Sequence, residues 1–92
     1  MSKVILEGFI VVPEADLKQI KEELPTHIEL TRNEPGCMVF HVEQSATDVQ
    51  RFAVYEEFDS EAAFEQHQAR VAGSRWGSVT KDVQRHYTIT KI

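Results

Sequence analysis

The chain has 92 residues, 41% of them hydrophobic and 27% charged, and its fifteen acidic and ten basic side chains give a formal net charge of −5. That size supports one folded unit with a thin core, and the apolar content is too high for a disordered chain. The acidic balance contains no run of like charge, which excludes a phosphate-backbone footprint and with it a nucleic-acid partner. Cys37, the single cysteine, cannot close an internal disulfide. With no leader-like segment and no long apolar run, a cytoplasmic protein without membrane insertion is expected. Neither a repeat nor a Pro/Gly/Ser-rich linker divides residues 1–92, so a single domain is expected.

Lys3 to Val12 are rich in Val, Ile, Leu and Phe without apolar/polar alternation, the pattern of a strand covered on both faces. Val4, Leu6, Ile10 and Val12 point one way, and Ile5, Phe9 and Val11, with Glu7, point the other. After Pro13, the residues Leu17, Ile20, Leu24, Ile28 and Thr31 recur at three- and four-residue steps, which predicts a helix with one buried stripe. Pro25 lies inside it and removes a backbone hydrogen bond, so a kink near Leu24 is expected.

Asn33-Glu34-Pro35-Gly36 stops that helix, because Pro fixes a turn and Gly tolerates positive φ. Cys37 to Gln44 reads as a strand with Met38, Phe40 and Val42 on one face and Cys37, Val39, His41 and Glu43 on the other. Ser45 to Gln50 is a polar turn. The third strand, Arg51 to Phe58, has Phe52, Val54 and Phe58 on one face and Ala53 and Tyr55 on the other. Asp59 or Ser60 then caps a second helix, without a capping box, whose expected stripe is Phe64, His67, Gln68 and Val71. Gly73 to Thr80, with Trp76, is a short helix or a lid, and Arg85 to Lys91 is the last strand.

The order strand, helix, strand, strand, helix, strand is the split βαβ of the ferredoxin-like α+β fold, βαββαβ with an antiparallel sheet. Its helices cover one face only. The second apolar face of the first strand therefore calls for a partner sheet, which a two-fold homodimer supplies.

The segments TRNEPGCMVFHV and RFAVYEEFDSEAAFEQHQAR resemble the antibiotic-biosynthesis-monooxygenase family, which includes quinol monooxygenases. The resemblance rests on the EPGC turn, the strand carrying Tyr55-Glu56 and Phe58, and the Ala-Ala-Phe-x-x-His helix ending at His67, in that order. It implies a dimeric α+β barrel. Enzymes of this kind use molecular oxygen on a small aromatic or quinol substrate with no metal or flavin. Other members are isomerases or haem-degrading proteins, and some have no assigned activity, so fold leaves function open. The haem-degrading pattern, with an Asn in the first strand, is not met by Glu7-Gly8.

The residues agree with a cofactor-free reading in that no metal set or glycine-rich phosphate loop is spaced for binding. Cys37 and His41 lie about 13 Å apart along one strand, too far for one ion. Such oxygenation needs a base, a hold on the substrate anion, and a site without water. His67 is the leading base, because an imidazole titrates near neutrality and this one lies on an apolar stripe; the alternative is a core histidine bonded to a backbone carbonyl. His41 is the second catalytic candidate. Tyr55, Glu56, Trp76 and Phe64 are the substrate-binding candidates. Tyr55 could bond a substrate oxygen, Glu56 could orient a histidine, and Trp76 could stack on a planar substrate. Tyr55 and Trp76 could equally be packing residues, and Glu56 a structural partner of a backbone or Arg group. His27 reads as a surface residue or a local helix partner, and which of His86 and Tyr87 faces a cavity is open. An isomerase of a small oxygenated metabolite, or a non-catalytic ligand-binding or stress-related dimer, is the alternative function.

Overall fold

A computed structural model describes residues 3–92. Strands β1 (Val4–Val11), β2 (Cys37–Gln44), β3 (Arg51–Phe58) and β4 (Gln84–Lys91) form one sheet in the order β2-β3-β1-β4, and every neighbouring pair is antiparallel. Helix α1 (Leu17–Arg32) follows β1 after a single 3-10 turn at Glu14–Asp16, and α2 (Glu61–Ala72) and the one-turn α3 (Arg75–Val79) lie between β3 and β4. This is the βαββαβ order of a ferredoxin-like fold, with α3 as an addition. Among the described residues no helix is long and apolar enough to cross a membrane.

The core lies between the sheet and the helices. Val4, Leu6 and Ile10 of β1, with Phe52, Val54 and Phe58 of β3, point to that side and pack with Val12, Ile20, Phe64 and Trp76. On the opposite face of β1, Ile5, Phe9 and Val11 are only half-buried and no helix covers them. There Phe9 stacks on His86 at 4.6 Å between ring centroids, and the Arg51 guanidinium lies over the Phe9 ring.

Helix α1 runs through Pro25 as one helix, and its buried residues are Ile20, His27 and Thr31. The stripe therefore follows Ile20, His27 and Thr31 at steps of seven and four, and Ile28, expected on it, stays half-buried at the rim. Arg32 fastens the helix end to β2, since its Nε and Nη2 donate to the Phe40 carbonyl at 3.2 and 2.9 Å. Helix α2 starts at Ser60, whose hydroxyl accepts from the Ala63 amide at 3.1 Å and so satisfies one of the orphan amides of the first turn. Its buried residues are Ala63, Phe64 and His67; Gln68, expected on the stripe, is exposed and Val71 only half-buried.

The phase of β2 differs from the simple alternation. A register shift between Cys37 and Val39 places Cys37 opposite Phe58 and Phe40 opposite Glu56. One extra residue, Met38, is absorbed as a bulge and is 56% exposed. Cys37 thus joins Phe40 and Val42 on the helix side, whereas His41, opposite Tyr55, faces away from it. The expectation that Cys37 and His41 share a face fails for this reason. At β1, Gly8 has φ +152 and a Cβ there would lie 1.9 Å from the His86 carbonyl oxygen, so only glycine lets β4 approach.

Candidate active site

Polar side chains converge between the sheet and the helices, in the space enclosed by α1, α3, β3 and β4. A cavity of about 30 Å3 lies there, lined by Phe40, Val54 and Val83 and by His27, Glu56, Trp76, Thr80, Arg85 and Tyr87. Water needs only about 10–15 Å3, whereas a dry cavity that takes benzene is roughly 150 Å3. The space as it stands holds small molecules of water size and must open to take a ring. A larger surface groove of about 680 Å3 runs beside α1 along Leu24, Pro25, Ile28 and Phe52. Its titratable lining, Lys21, Glu29 and Arg32, is solvent-exposed, so the smaller cavity, with its buried polar side chains, is the candidate site.

Glu56 enters the cavity because it shares the β3 face of Val54 and Phe58. It is 6% exposed, and its Oε1 has no hydrogen-bond partner. A buried carboxylate in that position is poorly solvated. Burial, and then repulsion from Glu34, pushes its pKa up to about 7. His67 of α2 stands beside it with Nε2 3.8 Å from Glu56 Oε1, beyond a hydrogen bond in the resting geometry. Its Nδ1 lies 2.8 Å from Glu34 Oε1. Burial lowers the His67 pKa, and the Glu34 carboxylate opposes that shift.

His27 is 4% exposed, its Nδ1 also has no partner, and its ring stacks on Trp76 at 4.5 Å with 5° between planes. Burial above all, then the nearby His67 and Arg70, pushes its pKa down to about 3, so the ring is neutral at any ordinary pH and offers one donor and one acceptor. Ser74 caps α3 by accepting from the Gly77 amide at 3.2 Å, and this turn delivers Trp76 to the cavity. On β4, Arg85 donates to the Thr80 carbonyl and hydroxyl at 3.2 Å. The ring of Tyr87 is partly exposed, yet burial, followed by the charge of Glu56, pushes its hydroxyl up to about 12.

Of the residues expected from the sequence, the fold brings Glu56 and Trp76 to the cavity wall and sets His67 behind Glu56, outside the lining itself. Phe64 lies in the core against Phe58, at 5.7 Å between ring centroids, and does not line the cavity. His41 is exposed on the far face of the sheet. Tyr55 is on that face too, and its hydroxyl donates to Glu57 Oε2 at 2.5 Å. Both are therefore separated from the cavity by the sheet itself. His67 does not bond a backbone carbonyl; its partner is the Glu34 side chain. His27, Arg85 and Tyr87 complete the site, and only the Gly8-assisted pairing of β1 with β4 decides that Tyr87 rather than His86 faces it. Among the described residues no three His, Cys, Asp or Glu side chains are grouped to hold a metal ion.

A four-stranded antiparallel sheet in βαββαβ order with its helices on one side defines a class of small α+β proteins, and known proteins of that class are similar to this chain. The sequence profile described as antibiotic biosynthesis monooxygenase matches residues 4–76, and the chain belongs to that family. A Nitrosomonas europaea protein provisionally described as an antibiotic biosynthesis monooxygenase superposes with a TM-score of 0.77 at 23% identity, covering 99% of this chain and 88% of the other. A conserved Bacteroides thetaiotaomicron protein of unknown function gives 0.81 at 18% identity, covering 99% and 98%. A Deinococcus radiodurans protein, again provisionally described as an antibiotic biosynthesis monooxygenase, gives 0.76 at 22%, covering 97% and 89%. At these identities the likeness is one of fold. No curated protein sequence matches the chain.

Proposed function

We propose that the protein is a monooxygenase that needs no cofactor and oxidises a small aromatic or quinol substrate with molecular oxygen. The observation that carries this reading is the buried, unpartnered Glu56 carboxyl beside His67 in a cavity walled by Trp76 and His27. A phenol or quinol lying against the stacked Trp76–His27 pair would lose its hydroxyl proton to Glu56, with His67 behind it as the second proton acceptor. The resulting anion gives one electron to oxygen, and the radical pair recombines to a peroxide. The apolar walls of Phe40, Val54 and Val83 limit the water that can reach those intermediates.

The working unit in this reading is a homodimer. Ile5, Phe9 and Val11 lie on the helix-free face of the sheet, half-buried in a lone chain, and a second sheet packed there would remove them from water. Oxygen uptake by metal-stripped protein across a panel of quinols tests the activity, and no rate above the buffer blank would refute it. The Glu56–His67 pair also suits a proton shift within an oxygenated metabolite. Turnover under strict anaerobiosis would select that isomerase reading instead.

A further inference from the structure

Glu34 stands outside the cavity, in the turn between α1 and β2, yet it ends on the same histidine as Glu56. One Glu34 oxygen takes His67 Nδ1 at 2.8 Å, and the other is held by Arg70 Nε. Arg70 is itself fixed, since its Nη2 donates to Thr31 Oγ1 at 3.0 Å. A second depression, of about 160 Å3, opens on this outer side between Glu34, Pro35, Gln66 and Arg70. The imidazole therefore spans from a carboxyl in the inner cavity to a clamped carboxylate near the surface. With its other oxygen held by Arg70, Glu34 is placed to accept from the ring, which assigns the hydrogen to Nδ1 and turns the Nε2 lone pair toward Glu56.

We infer that Glu34 is the positioning residue of a proton store, in which its carboxylate holds His67 with Nε2 turned toward Glu56, so that the substrate proton is shared between Glu56 and His67 until the product needs it back. The inference rests on the oxygenase reading above and adds where the proton waits. The substrate O–H bond breaks with its electron pair left on oxygen, and an O–H bond forms on Glu56. That bond then breaks as Nε2–H forms, while Nδ1–H stays on Glu34. After the anion has reduced oxygen and the two have combined, the peroxide anion takes the proton back by the reverse path, and the hydroperoxide loses water. The protein's proton count is unchanged over a cycle.

A lone imidazolium at this depth would be strongly disfavoured. The groups facing His67 are Glu34 from the turn, Glu56 from β3, Arg70 from its own helix and His27 from α1, whose ring centroid is 6.2 Å away. Phe40 and Phe58 close the remaining sides of the ring. Glu34 is the anion bonded to the ring itself, so removing its charge while keeping its shape isolates its part.

The test uses the 15N-labelled full chain without substrate. Imidazole spectra of the wild type are expected to show His67 as the Nδ1–H tautomer, and Glu34→Gln is expected to lower its titration midpoint by about one pH unit or more, a tenfold loss of imidazolium at a given pH. A resting Nε2–H tautomer, or an unmoved midpoint in the variant, would overturn the inference. Should Glu34→Gln fail to fold, the wild-type tautomer alone decides. Oxygen uptake judges the oxygenase reading, and these spectra judge the store, so the two fail separately.

Discussion

Replacing Glu56 by Gln keeps the shape of the side chain and removes its charge, and the consequence for stability follows from the site. Burial and the neighbouring Glu34 raise the Glu56 pKa from 4.5 to about 7, a rise of about 2.5. Between those values the folded protein keeps a proton that the unfolded chain has released, so stability falls as pH rises through that window. At about 1.4 kcal/mol per pKa unit the full cost is between about 3 and 4 kcal/mol, an upper bound because the surroundings relax around the charge. Glu56→Gln and the wild type should therefore lie within about 0.5 kcal/mol of their acid-side offset near pH 4.5 and diverge by up to about 3 to 4 kcal/mol, in favour of Gln, by about pH 8.5. Burial lowers the His67 pKa, so its ring is neutral in both proteins on the alkaline side, where the gap is read. Urea unfolding at a series of pH values measures the gap. A difference between the two proteins that does not change with pH would refute the reasoning, because it would mean that Glu56 ionises as easily in the fold as in the open chain.

Three further outcomes are expected. His67→Ala should lower oxygen uptake per folded molecule by about 100-fold or more, measured with circular dichroism on the same sample; full activity would remove His67 from the mechanism. Phe9→Lys would bury an unpaired charge if the helix-free face meets a partner sheet; light scattering should show dissociation or insolubility, and a wild-type monomer at micromolar concentration would end the dimer proposal. Gly8→Ala puts a Cβ 1.9 Å from the His86 carbonyl and should cost at least about 2 kcal/mol. Hydrogen exchange should then show β4 amides losing protection first, and unchanged stability would contradict the close approach of the two strands.

The order of elements could be read from the sequence because each long segment carries its own period, from the unbroken apolar β1 to the three-four spacing of α1. The details that failed are those one residue wide. Alternation put Cys37 with His41, but the bulge at Met38 turns Cys37 to the core; a bulge leaves no mark on an apolar strand. Hydrophobicity put Ile28 on the buried stripe, whereas His27 is the buried residue, its ring stacked on Trp76 from a helix 49 residues earlier in the chain, a contact that no local pattern encodes. Of the candidate site, His67, Glu56 and Trp76 could be picked out from type and spacing. Glu34 read only as part of a turn, since its bond to His67 joins residues 33 apart and no local pattern encodes it.

The small volume of the cavity between Trp76, Glu56 and Tyr87 also bears on how affinities should be interpreted. A ring does not fit in about 30 Å3, so an aromatic ligand of this cavity would bind only the fraction of molecules in which that space has widened. The apparent dissociation constant is then the intrinsic one divided by that fraction. A series of ligands graded by ring size reports the cost of widening as much as the quality of contact. Substitutions that trim the walls can tighten binding while removing atoms that touch the ligand, and saturation of the association rate at high ligand concentration would mark the widening step directly.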